Sequence, residues 1–210
     1  MAEMHPLTRA VIDGDKATAV ELTQKCVDEG EAASFIVEQR LVPGMAVIGE
    51  QFQRDEIFVP EMLIAANAMK ASLTLLEPLI AESGMKAPYT AVIGTVEGDL
   101  HDIGKNLVGM MWRGTNFEVI DLGVNVSPSS FADAAREHQP DIVGMSALLT
   151  TTVPHMRKAV QAVKATGVDT KILVGGAPVS AEFAEEVGAD GFAEDAGAAA
   201  EVAKSIVSAA

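Results

Sequence analysis

Cysteine is nearly absent from this sequence, since Cys26 is the only one in 210 residues. A single thiol cannot form an intramolecular disulfide, so the chain lacks the covalent framework of small secreted domains and fits a reducing compartment. The opening residues, MAEMHPLTRAVIDGDK, show no apolar run behind a basic head, and no stretch approaches the roughly 20 apolar residues of a membrane helix. These absences predict a cytoplasmic protein without a membrane partner.

Basic and aromatic residues are also scarce. Lys and Arg number 15 against 30 Asp and Glu, which gives a formal net charge of −15, and aromatic residues make up 4% of the chain. Such an acidic surface repels a phosphate backbone, so a nucleic-acid partner is disfavoured. The low aromatic content, together with 18 Gly, favours packed helices and glycine-rich βα loops over a β-sandwich.

The first 88 residues show apolar side chains at helical spacing and little strand-like alternation. Asp15 is placed to cap a helix that Gly30 would end, and a second helical stretch follows that breaks at Pro43–Gly44. A third and longer helix opens at Pro60, where the missing N–H of proline costs little. Residues 1–88 are therefore predicted to form a small helical bundle.

After a linker at Ser83–Pro88, short apolar runs alternate with amphipathic stretches. Five such βα units in a row predict an α/β domain over residues 89–210, a flavodoxin-like (Rossmann-like) parallel sheet with helices on both faces. Loops at the carboxyl ends of parallel strands gather at one edge, where ligands bind. The predicted strands are Thr90–Val96, Phe117–Leu122, Asp141–Ser146, Thr170–Val174 and Gly191–Ala193, and the predicted helices are Ile103–Arg113, Pro128–His138, Pro154–Ala165, Ala181–Val187 and Ala196–Val207.

The loop after the first predicted strand reads EGDLHDIGKN from Glu97 and places an imidazole between two carboxylates. Histidine is the commonest metal ligand, and a carboxylate on its other nitrogen fixes the tautomer and raises its basicity. Asp99 could fill that role for His101, whereas Asp102 could cap the following helix. An isolated His with nearby Asp is also typical of a surface or helix-capping cluster, so this loop alone leaves both interpretations open.

Other chemistries fit this loop less well. It lacks the Gly-Lys-Ser/Thr ending of a phosphate-binding P-loop, because Gly104-Lys105 is followed by Asn106, and its glycines do not have dinucleotide-binding spacing. A hydrolytic zinc site would need two or three more clustered ligands. The remaining histidines lie at unrelated positions and are predicted on exposed helix surface: His5, His138 and His155.

Two further strand ends carry small or hydroxyl-bearing residues. The third predicted strand ends in the run Ser146–Thr152, and the fourth ends in Gly175-Gly176, where bare backbone lets a ligand approach closely. Together these loops outline a long slot with a metal-capable His101 at its mouth. That shape fits a cofactor with a large planar metal-containing head and an extended tail.

These positions together resemble the cobalamin-binding signature. A D-x-H-x-x-G motif at 99–104 is followed after 41 residues by S-x-L at 146–148 and after 26 more by G-G at 175–176. The pattern is similar to that of methionine synthase, the carbon-skeleton mutases and the corrinoid proteins of methyltransferase systems. Segments 44–52 and 58–61 resemble the helical cap of the methyl-transferring members. The resemblance is greatest to the stand-alone corrinoid carriers of methylamine, methanol or betaine systems.

The resemblance implies that cobalamin or a related corrinoid binds with its own base detached and with His101 as the lower axial ligand of cobalt. Asp99 would accept the other ring N–H of His101, and Thr152 would supply the hydroxyl that completes this relay. These three are the candidate catalytic residues, and His101 is the candidate metal ligand. The other implied cofactor-binding residues of this domain are Gly98, Leu100, Asp102, Ile103, Gly104, Ser146, Leu148, Thr150, Gly175, Gly176 and Ala196.

The cap of methionine synthase covers the upper face of the corrin ring. An apolar lid of this kind would exclude water from a reactive metal–carbon bond. On spacing alone, Met62 and Leu63 fit an ordinary bundle core better than a lid. The positions matched by resemblance are Phe52, Val59, Met62 and Leu63, with Glu38 as a further cofactor contact.

The implied function is that of a non-catalytic methyl carrier. A substrate-specific methyltransferase, for a methylated amine, a betaine or methanol, would load the methyl group, and a second would pass it to a thiol or a pterin. A reductive activation protein is a further implied partner. A cobalamin-dependent sensor is an alternative, but such regulators carry basic DNA-binding helices. A radical-mutase subunit is another, but those subunits lack the cap that Phe52 and Pro60 indicate.

Overall fold

A computed structural model describes residues 4–83 and 87–208. The chain divides into two compact units, one of Met1–Pro88 with Gly114–Asn116 and one of Tyr89–Arg113 with Phe117–Ala210. Residues 84–86 of the predicted linker lie outside the described residues.

The first unit is helical. Asp15 caps α2 as predicted, because its side-chain oxygens accept the backbone N–H and the hydroxyl of Thr18 at 3.1 and 2.7 Å. A short helix before it, α1, was not predicted from the sequence. The elements are α1 (Pro6–Ile12), α2 (Lys16–Asp28), α3 (Ala33–Ile36), a π-helical turn (Val37–Leu41), α4 (Val42–Gln53) and α5 (Val59–Ser83).

The break expected at Pro43–Gly44 is replaced by the π-helical turn. The N–H of Val42 donates to the carbonyl of Val37, five residues earlier, and Pro43 has no N–H to continue the usual pattern. The hydroxyl of Thr8 donates to the carbonyl of Arg40 in this turn at 2.8 Å. The chain therefore remains helical through the proline by widening one turn.

Helix α5 requires a correction to the sequence analysis. Its segment Val59–Ile80, 22 residues, is long and apolar enough to cross a membrane by length and composition. The core helix of a bundle meets the same criterion, and α5 packs along α2 in this unit. Its buried residues include Met62, Ala65, Ala68, Met69 and Leu76.

The second unit confirms the predicted flavodoxin-like class. Five parallel strands form one sheet in the order β2-β1-β3-β4-β5. Each predicted strand is present, with ends shifted by one residue at most. The strands are β1 (Tyr89–Thr95), β2 (Phe117–Asp121), β3 (Ile142–Ser146), β4 (Lys171–Gly175) and β5 (Gly191–Ala193), and the helices are α6 (Ile103–Gly114), α7 (Pro128–His138), α8 (Val153–Lys164), α9 (Ala181–Val187) and α10 (Ala196–Ser208).

Large aromatic residues pack against glycines of the central strands. A Cβ on Gly144 of β3 would lie 2.5 Å from the ring of Trp112, and one on Gly94 of β1 would lie 2.9 Å from the ring of Phe131. Both rings are fully buried. Because Trp112 belongs to α6 and Phe131 to α7, glycine in these strands allows the helices to approach the sheet closely.

Candidate functional site

Strand register brings three of the predicted site loops to one edge of the sheet. Thr95 of β1 pairs with Ser146 of β3, which pairs in turn with Gly175 of β4. The loops that follow these residues therefore start side by side at the carboxyl ends of the strands, where open α/β sheets bind ligands. His101 lies in the first of these loops with its side chain half exposed.

The imidazole of His101 is oriented by Asp99. Nδ1 of His101 lies 2.7 Å from Oδ1 of Asp99, and the same oxygen accepts the backbone N–H of His101 at 3.1 Å. A carboxylate at Nδ1 favours the tautomer with its proton there, which leaves the lone pair of Nε2 for a metal. No group of three or more His, Cys, Asp or Glu side chains suited to a metal occurs among residues 4–83 and 87–208.

The carboxylate of Asp99 is itself fully buried and held by several donors. Its Oδ2 accepts the backbone N–H groups of Leu148 and Leu149 at 2.7 and 3.2 Å and the hydroxyl of Thr152 at 2.9 Å. Burial acts to raise the pKa of Asp99, but the hydrogen bonds from Leu148, His101 and Thr152 outweigh it and hold the pKa well below its usual range. Asp99 is therefore ionised at neutral pH, directly behind His101.

Thr152 occupies the last position before α8 and is 4% exposed. Its hydroxyl also lies 2.8 Å from the carbonyl of Leu149, so its single proton is shared between Asp99 and that carbonyl. The loop between β3 and α8 thus supplies three of the donors to Asp99, one from a side chain and two from backbone amides.

The glycines after β4 form part of a tightly packed wall. Gly176 has φ +117°, and a Cβ there would lie 1.9 Å from the carbonyl oxygen of Ala147. A Cβ on Gly175 would lie 2.8 Å from the carbonyl oxygen of Ala193. Of the other predicted lining residues, Ser146 is half-buried, Thr150 is exposed, and Ala196 is buried at the start of α10. The backbone at these strand ends approaches more closely than any side chain would allow.

Large apolar side chains remain exposed beside His101. Leu100 and Ile103 are 72% and 73% exposed, and Leu148 and Leu149 are 46% and 40% exposed. Gly104 has open space where a side chain would lie, and Asp102 binds the side-chain amide of Asn106 at 3.1 Å. A cluster of exposed apolar residues at a ligand-binding edge fits a large, partly apolar cofactor.

Several residues of this edge were not identified from the sequence. Asn125, in the loop after β2, accepts the N–H of Gly98 at 2.7 Å. The prediction that His155 lies at an unrelated position is wrong, because its Nδ1 lies 3.0 Å from Oε2 of Glu97 in the loop after β1. Lys105, 2% exposed, binds Asp121 at 2.5 Å and Asn106 at 2.7 Å. The only sequence signal for Asn125 is its type, since Asn tolerates a left-handed backbone.

The predicted cap residues lie in the helical unit, described by itself. Met62 is 1% exposed, as a core residue would be. Phe52, Val59 and Leu63 are half-buried, and Glu38 is exposed on the π-helical turn.

Both the helical part and the α/β part of this chain are similar in sequence to known proteins. The family model of the B12 binding domain matches residues 89–203, and a second B12 binding domain model matches residues 4–77. The chain is 42% identical over 212 residues to a corrinoid protein of Desulfitobacterium hafniense, covering 99% of this chain and 98% of that protein. It is 36% identical over 207 residues to a dimethylamine corrinoid protein of Methanosarcina acetivorans, covering 97% of each.

A solved structure shares the fold as well. The methanol:cobalamin methyltransferase complex of Methanosarcina barkeri contains a chain that matches with a TM-score of 0.84 and 27% identity, covering 99% of this chain and 80% of that chain. A corrin ring itself supplies nitrogen ligands to its cobalt, so a single imidazole such as that of His101 would be enough from the chain, and the residues present fit this cofactor. The chain therefore belongs to the B12-binding corrinoid proteins, and its cofactor is a cobalt corrinoid.

Proposed function

We propose that this chain carries a methyl group between a substrate-specific methyltransferase and a second methyltransferase that acts on a thiol or a pterin. When bound, the corrinoid supplies a cobalt centre that accepts and releases the methyl group. The observation that carries the proposal is the hydrogen-bonded series from Thr152 through Asp99 to His101. It holds one imidazole at the edge of the sheet with its Nε2 directed away from the carboxylate.

Each of these side chains has a distinct role in the proposal. His101 would hold the cobalt through Nε2, because Asp99 keeps the proton on Nδ1. Asp99 stays ionised because Thr152 and the two leucine amides donate to its other oxygen. The chain thus supplies one imidazole whose tautomer and direction are both fixed by Asp99.

The rest of the site would hold the corrinoid by shape. Residues 1–88 form a cap domain and residues 89–210 a corrinoid-binding domain in this proposal. Exposed Leu100 and Ile103 would provide apolar contact for the corrin ring. The proposed tail slot and ring contacts are Gly98, Asp102, Gly104, Ser146, Leu148, Thr150, Gly175, Gly176 and Ala196, and the proposed cap contacts are Glu38, Phe52, Val59, Met62 and Leu63.

A methylated amine is the proposed source of the methyl group. The support is the 36% identity to a dimethylamine corrinoid protein over 97% of both chains. The match to a methanol:cobalamin methyltransferase complex supports a methyltransferase as the loading partner and makes methanol the second donor to test. We further propose a reductive activation protein as a partner and a cytoplasmic location, in keeping with the free, buried Cys26.

The test is electron paramagnetic resonance of the protein with bound cob(II)alamin. Histidine is labelled with ¹⁵N while the cofactor keeps natural nitrogen. Coordination by His101 splits the cobalt signal into doublets, whereas the cofactor's own base would give triplets. Doublets that disappear in His101→Ala and persist in His138→Ala, a variant of an exposed helix-end histidine, support the proposal. Triplets in the wild-type protein would overturn it.

A transfer assay tests the partners. The reduced protein is incubated with a purified dimethylamine or methanol methyltransferase, each with its substrate, and methylation is followed by the visible spectrum. Methylation with the amine enzyme alone supports the proposed donor. Methylation with the methanol enzyme alone would replace the donor class while leaving the carrier role in place, and methylation with neither would remove both proposed donors.

A further inference from the structure

The loop between β2 and α7 is fixed along the end of β1. The N–H of Thr95 donates to the carbonyl of Gly123 at 3.0 Å, and the N–H of Val126 donates to the carbonyl of Thr95 at 2.9 Å. Val96 and Val126 form a parallel bridge. Between these attachments the chain passes through Asn125, whose φ is +54°. Asn125 is thus held in a defined place beside the His101 loop.

Asn125 makes two hydrogen bonds to the Gly98–Asp99 dipeptide of that loop, one at its first N–H and one at its last carbonyl. Its side-chain Oδ1 accepts the N–H of Gly98 at 2.7 Å, and its own N–H donates to the carbonyl of Asp99 at 2.9 Å. Gly98 itself has φ +83°, a conformation that glycine adopts readily but that it also leaves readily, since no side chain restricts it. One exposed residue therefore fixes the backbone from which the Asp99 carboxylate projects.

Asp99 is consequently held from two sides. Donors from the β3–α8 loop fix its carboxylate, and Asn125 fixes its backbone. The direction of the imidazole of His101 depends on this carboxylate, so a shift of the Gly98–Asp99 backbone would turn the ring or lengthen the 2.7 Å contact. Metal ligands are sensitive to such outer contacts.

The backbone conformation limits which residues can do this. A positive φ is tolerated mainly by Gly, Asn and Asp, and only Asn and Asp among them carry a side-chain oxygen at the right reach. Asn125→Gly therefore removes the acceptor while keeping the backbone unstrained, and Asn125→Asp keeps both. Because Asn125 is exposed, the carboxylate of the Asp variant stays in solvent.

We propose that Asn125 is a positioning residue that, through Asp99, sets the fraction of the protein in which His101 is bound to the metal. The inference rests on the proposed coordination by His101. It assigns to the β2–α7 loop a part in the site that the D-x-H-x-x-G motif does not include.

Two measurements test it. Amide hydrogen exchange of the cofactor-free protein reports the Gly98 N–H directly, and the ¹⁵N-histidine doublet of the cob(II)alamin form reports the fraction with His101 bound. Loss of one neutral hydrogen bond changes an equilibrium by about 2- to 10-fold. Asn125→Gly is expected to speed Gly98 exchange and to shift the bound-to-free ratio of His101 by a factor in that range, and Asn125→Asp is expected to change neither.

Asn116→Gly is the matched control, because Asn116 also has a positive φ of +71° and precedes β2 at the opposite edge of the sheet. It should leave both signals unchanged. An Asn125→Gly variant that loses Gly98 protection but keeps the full doublet would overturn the inference, as would loss of the doublet in Asn125→Asp. Absence of the doublet in the wild-type protein would instead contradict coordination by His101. Failure of that proposal can therefore be distinguished from failure of the inference about Asn125.

Discussion

The hydroxyl of Thr152 lies 2.9 Å from Oδ2 of Asp99, although 53 residues separate the two in the chain. Both side chains are buried, so neither can exchange its partner for water. A buried carboxylate that loses a donor keeps its desolvation cost without compensation. The contact therefore matters to stability as well as to the site.

Replacing Thr152 by Val removes the hydroxyl at nearly constant volume. The free energy of unfolding of the cofactor-free protein should fall by about 1–3 kcal/mol, because Asp99 then lacks a buried donor. Thr152→Ser keeps the hydroxyl and should lose less than half of that. Urea denaturation of the three proteins at neutral pH makes the measurement. Equal stability of the Val variant and the wild type would show that backbone amides alone satisfy Asp99.

Asp99→Asn is expected to slow methyl transfer about 10- to 100-fold while the corrinoid still binds. The amide keeps most of the shape but removes the negative charge that orients the imidazole of His101 through Nδ1. Stopped-flow spectroscopy with a methyltransferase gives the rate, and the corrinoid absorbance of the purified protein gives the occupancy. Unchanged transfer rates would remove Asp99 from the proposed mechanism, and the exposed Asp133→Asn serves as the control.

The carboxylate of Asp121 predicts a pH-dependent contribution to stability. Burial acts to raise the pKa of Asp121, but the hydrogen bond and charge of Lys105 outweigh it and hold the pKa below its usual range. A carboxyl with a lowered pKa stabilises the fold above its unfolded pKa of roughly 4, and this contribution disappears as the pH falls through the folded value.

Asp121→Asn should therefore destabilise the protein most near pH 7. The expected loss is about 1–3 kcal/mol, reduced from that of a fully buried pair because Asp121 is 34% exposed. The difference from the wild type, measured by urea titration, should shrink as the pH falls below roughly 4. A difference that stays constant down to the acid limit would show that Asp121 is not an ion-pair partner of Lys105.

The sheet was predictable because its strands are short apolar runs separated by helical stretches, and β1 begins within one residue of its predicted start. The π-helical turn was not, since Pro43 reads as a helix breaker unless the register of the preceding turn is known. Helix α1 has only 7 residues, too few for a clear helical period.

The candidate site likewise contains contacts that the sequence could predict and contacts that it could not. The Asp99–His101 contact spans two residues, so spacing within one motif was enough to suggest it. The contacts of Asn125 with Gly98 and of His155 with Glu97 span 27 and 58 residues. They depend on loop conformations, such as the positive φ of Asn125, that no periodic pattern encodes.

Gly176→Ala tests the packing of the strand-end wall. At φ +117° the added Cβ would lie 1.9 Å from the carbonyl oxygen of Ala147, so backbone must move in the loop after β3 or the loop after β4. A strained backbone conformation alone costs of order 1–3 kcal/mol. Gly167→Ala is the comparison without a steric contact, because Gly167 also has a positive φ, of +74°, and nothing lies within 4 Å of the added Cβ.

Gly176→Ala should therefore be less stable than Gly167→Ala in urea titration, and it alone should weaken corrinoid binding, measured by equilibrium dialysis. The reason is that Ala147 lies beside Leu148, whose N–H donates to Asp99, so movement there reaches the carboxylate behind His101. Equal stability and equal corrinoid affinity of the two variants would mean that the loops relax around the methyl group, and the close approach of Gly176 to Ala147 would then have no part in shaping the site.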